Sequence, residues 1–355
     1  MRKLPLSFFC ALTLTLALAV NFARCQAAEV PANGAYTRIG NPDSNTVQLQ
    51  IALRKFVPAQ NSGPAVWLAA VMHIGETNYY QALQHFLDKQ TIVLYEGINA
   101  DAHPHHVHDA ANAPAAHAPT PASSLSATNS GYSMQSTLAH SLGLVFQLEA
   151  IDYDRTNFLN SDLSIQQIQN ITAEGTRPVG PGEEGKGSAP FETLLQIMDG
   201  TSFLGSLFKF GMQFLAASPQ LQAVAKLTLI EAVGRLKGDL SDMQGLPPEW
   251  EDLIKVLIEA RNKNLMDDLK DELKKVPPSG SIAVFYGAGH MDDLEKRITG
   301  ELHYRPADET WLTAFSVDLQ KGGISPGEAE MIRGLVKSEL EQMQPVAPPA
   351  VKAAP

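Results

Sequence analysis

The chain has almost no cysteine. Of its 355 residues only Cys10 and Cys25 are cysteines, and both fall in the first 27. Beyond that point there is no thiol, which excludes a disulfide scaffold, a thiolate metal ligand and a cysteine nucleophile. Positive charge is also scarce: 27 Lys and Arg against 38 Asp and Glu give a net charge of −11. Without Arg2, Lys3 and Arg24 the value is −14. So acidic a chain is a poor partner for nucleic acid. Long apolar runs are missing after the N-terminal segment, so no span of a bilayer is expected there. Three catalytic signatures are absent as well. No HExxH helix marks a zincin, and no GxSxG elbow marks a serine hydrolase. GAGH lacks the third glycine and the spacing of a dinucleotide fingerprint.

Residues 1–27 read as a signal peptide. Arg2 and Lys3 precede the apolar LSFFCALTLTLALAV, and small residues suited to cleavage follow near Ala27. Arg24 takes the place where a lipoprotein cysteine such as Cys25 would need a small neighbour. The expectation is export, to a periplasm or outside the cell. About 325 residues remain, enough for one large domain. Residues 28–343 are read as that domain and 344–355 as a disordered tail.

The segments read as an α/β fold: a mixed, largely parallel β-sheet flanked by helices, with a helical insertion over 191–275. VQLQIALRKF (47–56) alternates in part and reads as an antiparallel or edge strand. AVWLAAVM (65–72) is almost continuously apolar, as a strand covered on both faces requires. NYYQALQHFLDK then has helical spacing, with Thr77 as its N-cap, and TIVLY (91–95) reads as a second buried strand. A right-handed crossover makes these two strands parallel, with their ends on one edge of the sheet. His73 and Glu96 come just after those ends and are expected to be neighbours. LVFQLEAI (144–151), IAVFY (282–286) and WLTAFSVDL (311–319) read as further strands. Helices are expected over 133–142, 219–237, 248–275, 291–298 and 326–343.

Two apolar runs end alike, VWLAAVMH at His73 and SIAVFYGAGH at His290, 217 residues apart. Strand ends are where α/β enzymes place their chemistry. On the helix before His290, Arg261 and Asn262 interrupt the inward stripe of Ile258, Leu265 and Leu269. An inward arginine needs a carboxylate, with Glu76 and Glu96 as candidates; at the stripe's edge its head would instead lie in water. Residues 99–131 are rich in Ala, Pro and His and read as an inserted mobile loop. They hold five of the chain's ten histidines: His103, His105, His106, His108 and His117. Composition accounts for that cluster better than a built metal site does. SFLGSLFKFGMQFLAA (202–217) reads as core, with a partner surface as the alternative.

AVMHIGE, IVLYEG, EARNKNLMDDL and GAGHM, in this order, together with LGLVFQLEAIDYDRTNFLNSDLS, resemble the TraB/TIKI/GumN family over about residues 47–317. The family pattern has two Gly-x-x-His elements with a glutamate between them. Gly287, Ala288, Gly289 and His290 match the second element. Ala70 stands where the first has glycine, followed by Val71, Met72 and His73. Glu96 matches the glutamate, Glu76 an acid after the first histidine, and Arg261 an arginine on the helix.

The resemblance implies a metal-dependent hydrolase, a protease in the TIKI branch, acting on a peptide or small molecule. His73, Glu96 and His290 would hold Mn²⁺, Co²⁺, Fe²⁺ or Zn²⁺. Glu76 would be the general base or would orient a histidine. Arg261 would stabilise an oxyanion or hold a carboxylate. The competing expectation is a non-catalytic exported protein of the same fold that binds haem or a metal. Plainer roles stay open beside these: a histidine capping a helix, Glu96 paired to Arg261 alone, Glu76 as a first-turn acid.

Overall fold

A computed structural model describes residues 34–60, 62–97, 129–164, 166–168, 170–171, 212–235 and 248–343. The signal-peptide segment, the histidine cluster, the Gly/Pro-rich 173–191, the start of the helical insertion and the tail lie outside the described residues.

The architecture is α/β, with a mixed, largely parallel sheet of seven described strands and helices around it. Strand β1 is Thr37–Gly40, β2 Thr46–Pro58, β3 Ala65–Val71, β5 Ile92–Tyr95, β7 Phe158–Asn160, β8 Ser281–Gly287 and β9 Tyr304–Asp318. The order is β1-β2-β3-β8-β5-β7, with β9 along the other edge of β2. The long β2 is antiparallel to all its partners. β9 runs beside it throughout, while β1 pairs with 48–51 and β3 with 53–56. β3, β8, β5 and β7 are parallel. They are covered on both faces, which is why Val66, Leu68, Ala69, Ala70, Val93, Leu94 and all of 282–286 are buried.

The crossover from β3 to β5 does make these strands parallel, but β8 is inserted between them, pairing Ala65–Val71 on one side and Ile92–Tyr95 on the other. His290 is thereby placed between His73 and Glu96 in the order of strand ends. The crossover helix α1 (Thr77–Leu87) buries Tyr79, Tyr80, Leu83 and Leu87. Its N-cap position is held by Glu76, not Thr77, with no side-chain cap.

The segment 144–151 departs from the expected strand. Only Val145–Phe146 (β6) is extended, pairing with Ile74–Gly75 (β4), and Gln147–Ala150 forms a helical turn, α3. β4 gives way at once to α1, so β6 has no longer partner to pair with. Helix α2 (Asn129–Ser141) begins inside the stretch expected to be loop. α4 (Pro219–Arg235), α5 (Pro248–Glu272), α6 (Met291–Gly300) and α7 (Pro326–Met343) match the helical periodicity.

β2 carries a charge into the core. Arg54 is 1% exposed. Its guanidinium bonds Glu295 of α6, Glu309 of β9 (2.7 and 2.9 Å) and the Gly34 carbonyl (3.0 Å). The Tyr36 hydroxyl donates to the same Glu295 oxygen at 2.7 Å, and its ring lies 4.3 Å under the guanidinium. The partners of this arginine come from three parts of the fold, the segment before β1, β9 and α6, so the cluster fixes α6 to the antiparallel half of the sheet. Removing one member of a buried pair strands the other, at about 3–5 kcal/mol. Glu295→Leu is expected to lower the urea unfolding free energy by that much. Tyr36→Phe, which loses one hydrogen bond to a charged group, should cost about 1.5–3 kcal/mol.

Candidate functional site

The four parallel strands end on one edge, and the residues just past those ends form the site. His73 lies two residues past β3, Glu96 directly past β5, Asp162 two past β7, and His290 at the end of the 3₁₀ turn Ala288–His290 after β8. Arg261 reaches them from the middle of α5. His73, Glu96, Arg261, Gly287, Gly289 and His290 line one cleft of about 390 Å³.

Arg261 is the centre. It is 6% exposed, inward on the α5 stripe and not at its watery edge. Its Nε and Nη2 donate to the two oxygens of Asp162 at 2.8 and 2.6 Å, a bidentate pair. Nη2 also donates to Glu96 Oε1 at 2.7 Å, and Nη1 stands 3.4 Å from His290 Nε2. Burial works against the guanidinium charge, but Glu96 and Asp162 outweigh it and hold the pKa well above the ordinary value. Burial likewise opposes ionisation of Glu96. Arg261 first, then the imidazoles and the Gly287 N–H, reverse this and hold its carboxyl well below the usual carboxylate range.

Each histidine is oriented by an amide. Asn262 spends both hydrogens of its Nδ2 on acceptors, the His290 carbonyl (3.3 Å) and Asp293 (2.8 Å). Its Oδ1 therefore faces His290 Nδ1, at 2.7 Å, and must accept a proton there. Nε2 keeps its lone pair and faces the cleft. Burial also pushes the His290 pKa down, which favours the neutral ring. His73 is exposed, and its Nδ1 lies 2.8 Å from Gln147 Oε1, while Gln147 Nε2 donates to Tyr153. With Gln147 Oε1 on Nδ1, His73 Nε2 is left as the acceptor. Gln147 reaches His73 because α3 interrupts the expected strand, and its backbone N–H bonds the His73 carbonyl at 2.9 Å.

Gly287 supplies space. A β-carbon there would lie 3.2 Å from Glu96 Oε2 and 3.4 Å from His73 Nε2, and its N–H donates to that Oε2 at 2.7 Å.

Glu76 corrects an expectation. Its carboxylate does not reach the histidines or Arg261. It accepts from the N–H and hydroxyl of Ser316 on β9, both at 2.9 Å, and ties the start of α1 to the sheet. The general-base role has no geometric support. The carboxylate that does meet Arg261 beside Glu96 is Asp162, which the sequence pattern did not single out. Its side chain is fully buried and also accepts the Gly97 N–H at 3.0 Å.

A divalent cation can be tested against these donors. Two imidazole lone pairs and a carboxylate match its preferences. Two carboxylates around one guanidinium leave one negative charge for it to offset. Glu96 Oε1 and His290 Nε2 are 3.7 Å apart, and the carboxylate still has unused lone pairs. The donor types and charge fit. Among the described residues, no three His, Cys, Asp or Glu side chains are already arranged around a common point, so no coordination geometry is assigned.

Two outcomes are expected in metal-free buffer. Asp162→Leu leaves Arg261 with one carboxylate and should cost about 3–5 kcal/mol in urea unfolding. Glu96 has a lower pKa folded than unfolded, so its stabilisation is complete above its ordinary value of 4.5 and drains as pH falls below it. The unfolding free energy of Glu96→Gln should therefore fall less steeply between pH 5 and 3 than that of the native chain.

Comparison of the chain with protein-family models, with curated proteins and with solved structures returns no match.

Proposed function

We propose that the chain is an exported hydrolase acting on peptide bonds, with a divalent cation held by His73, Glu96 and His290. The observation that carries this reading is the pair of fixed tautomers: two imidazoles, each tied at Nδ1 by an amide oxygen, present Nε2 lone pairs to one cleft. An outer partner that fixes ring and tautomer is how proteins prepare histidine for a metal. The ion, one of Mn²⁺, Co²⁺, Fe²⁺ or Zn²⁺, would supply an acidified water and a polarised carbonyl.

The remaining work falls to the chain. Asp162 anchors Arg261, and Arg261 keeps Glu96 ionised and in place. The Nη1 arm is the part of the guanidinium not committed to a carboxylate, and it can donate to a carbonyl oxygen as charge develops there. Hydrolysis adds hydroxyl to the acyl carbon and a proton to the departing amine, and Glu76 has no part in it. The competing reading is a non-catalytic protein that binds haem or a metal in the same cleft. It is favoured by the direct contacts of Arg261 with Glu96 and His290, which already satisfy two of the three donors.

The deciding experiment measures bound metal and peptide hydrolysis together, on protein lacking residues 101–118 so that the loop histidines add nothing. One equivalent of metal is expected, lost in His73→Ala/His290→Ala, with cleavage lost alongside it. Asn262→Leu should weaken metal affinity about 10–100-fold. Stoichiometric metal without cleavage of any peptide would select the binding-protein reading; no metal after loading with each ion would remove the metal from both.

A further inference from the structure

The cleft lining mixes two chemistries. His73, Glu96, Arg261, His290 and Asp292 are polar or charged, while Val71, Met72, Val233, Ile258 and Ala288 are apolar. Ile258 is the informative residue. It is 6% exposed, yet it does not belong to the contiguous hydrophobic core of the described residues. It lines the cleft, three residues before Arg261 on the same helix. Val233, in the last turn of α4, also lines the cleft, held there by the hydrogen bond from Thr37 to its carbonyl at 2.8 Å.

Charge narrows the occupant further. Glu96, Asp162 and the cleft-lining Asp292 outnumber Arg261, so the charged groups about the cleft are net negative and repel an acidic side chain. The volume, about 390 Å³, lies in the range of small-ligand sites and is too small for a folded protein surface.

The apolar part of the lining points to a substrate preference: a peptide whose residue beside the scissile bond carries an uncharged apolar side chain of leucine, methionine or phenylalanine size, seated against Ile258 and Val233. The bond-breaking part rests on the hydrolase reading, while the preference itself is readable from binding alone.

The test uses the full chain loaded in turn with Mn²⁺, Co²⁺, Fe²⁺ and Zn²⁺. The probes are blocked heptapeptides that differ only at the central residue: Leu, Met, Phe, Ala, Lys or Asp. Cleavage is followed by mass spectrometry and binding by calorimetry. The Leu, Met and Phe peptides should bind, and be cut, at least tenfold better than the Asp peptide. Val233→Phe should fill the pocket and lower affinity for the Phe peptide about tenfold. Ile258→Ala should enlarge it and shift preference from Leu towards Phe; thermal unfolding reports whether each variant folds, and either one suffices. Equal binding and cutting of all six peptides would overturn the preference and leave hydrolysis standing. Selective binding with no cleavage under any ion would support the pocket and overturn the hydrolase reading. No binding of any peptide would overturn both.

Discussion

The site depends on one buried cation. Arg261 would be very costly to bury alone, and the fold surrounds it with two carboxylates from two different strand ends. Those carboxylates are equally costly without it. The three groups therefore require one another, and their mutual requirement fixes where β5, β7 and α5 meet. Partly buried at the cleft, Glu96 is held ionised chiefly by this arrangement. The guanidinium thus sets the charge state of the group that faces both histidines. A lysine could not replace it, since its point charge cannot hold Asp162 in a bidentate pair and reach Glu96 with a second bond from the same nitrogen.

A second buried arginine acts at the other end of the same helix–sheet junction. Arg54 fixes α6 through Glu295, and His290 sits immediately before that helix. His290 is therefore held on two sides: its helix by the Arg54 cluster, its ring and carbonyl by Asn262. Tyr36 belongs to the Arg54 cluster and also lines the cleft. The antiparallel half of the sheet is in this way coupled to the cleft, although it contributes none of the proposed metal-binding groups.

Much of this was legible in the sequence. Continuous apolar runs located β3, β5 and β8, and topology alone places the residues just past a parallel strand, so His73, Glu96 and His290 could be named. Arg261 and Asn262 were visible because they break an apolar stripe. Asp162 was not visible: β7 has three residues, too few for any periodicity, and NSDLS has the composition of a turn. Gln147 was hidden for a different reason. It sits in a segment whose composition favours a strand, and only the two-residue length of its partner β4 turns it into a helical turn beside His73. Glu76 was visible as a carboxylate for Arg261 and, by the resemblance, as an acid after the first histidine, but neither reading could foresee its pairing with β9. β4 instead runs towards β9, and Glu76 faces Ser316. Arg54 was absorbed into an alternating strand, and only tertiary pairing explains why a charge can stand at that position.

The two glycine positions of the resemblance are physically unlike, and this decides what Ala70 means. Gly287 has φ −52° and ψ 142°, angles open to any residue. Its glycine is favoured by space, because a β-carbon there would crowd the Glu96 carboxylate at 3.2 Å and touch the His73 ring. Ala70 lies inside β3, opposite Tyr286 of β8, with 0% exposure. Among the described residues the only non-glycine with positive φ is His303. Ala70 therefore sits in ordinary extended backbone, and a methyl group costs nothing in conformation there. The methyl packs within the contiguous core. The departure at residue 70 thus leaves the path of the chain to His73 intact, and of these two positions only 287 meets a close approach that favours glycine.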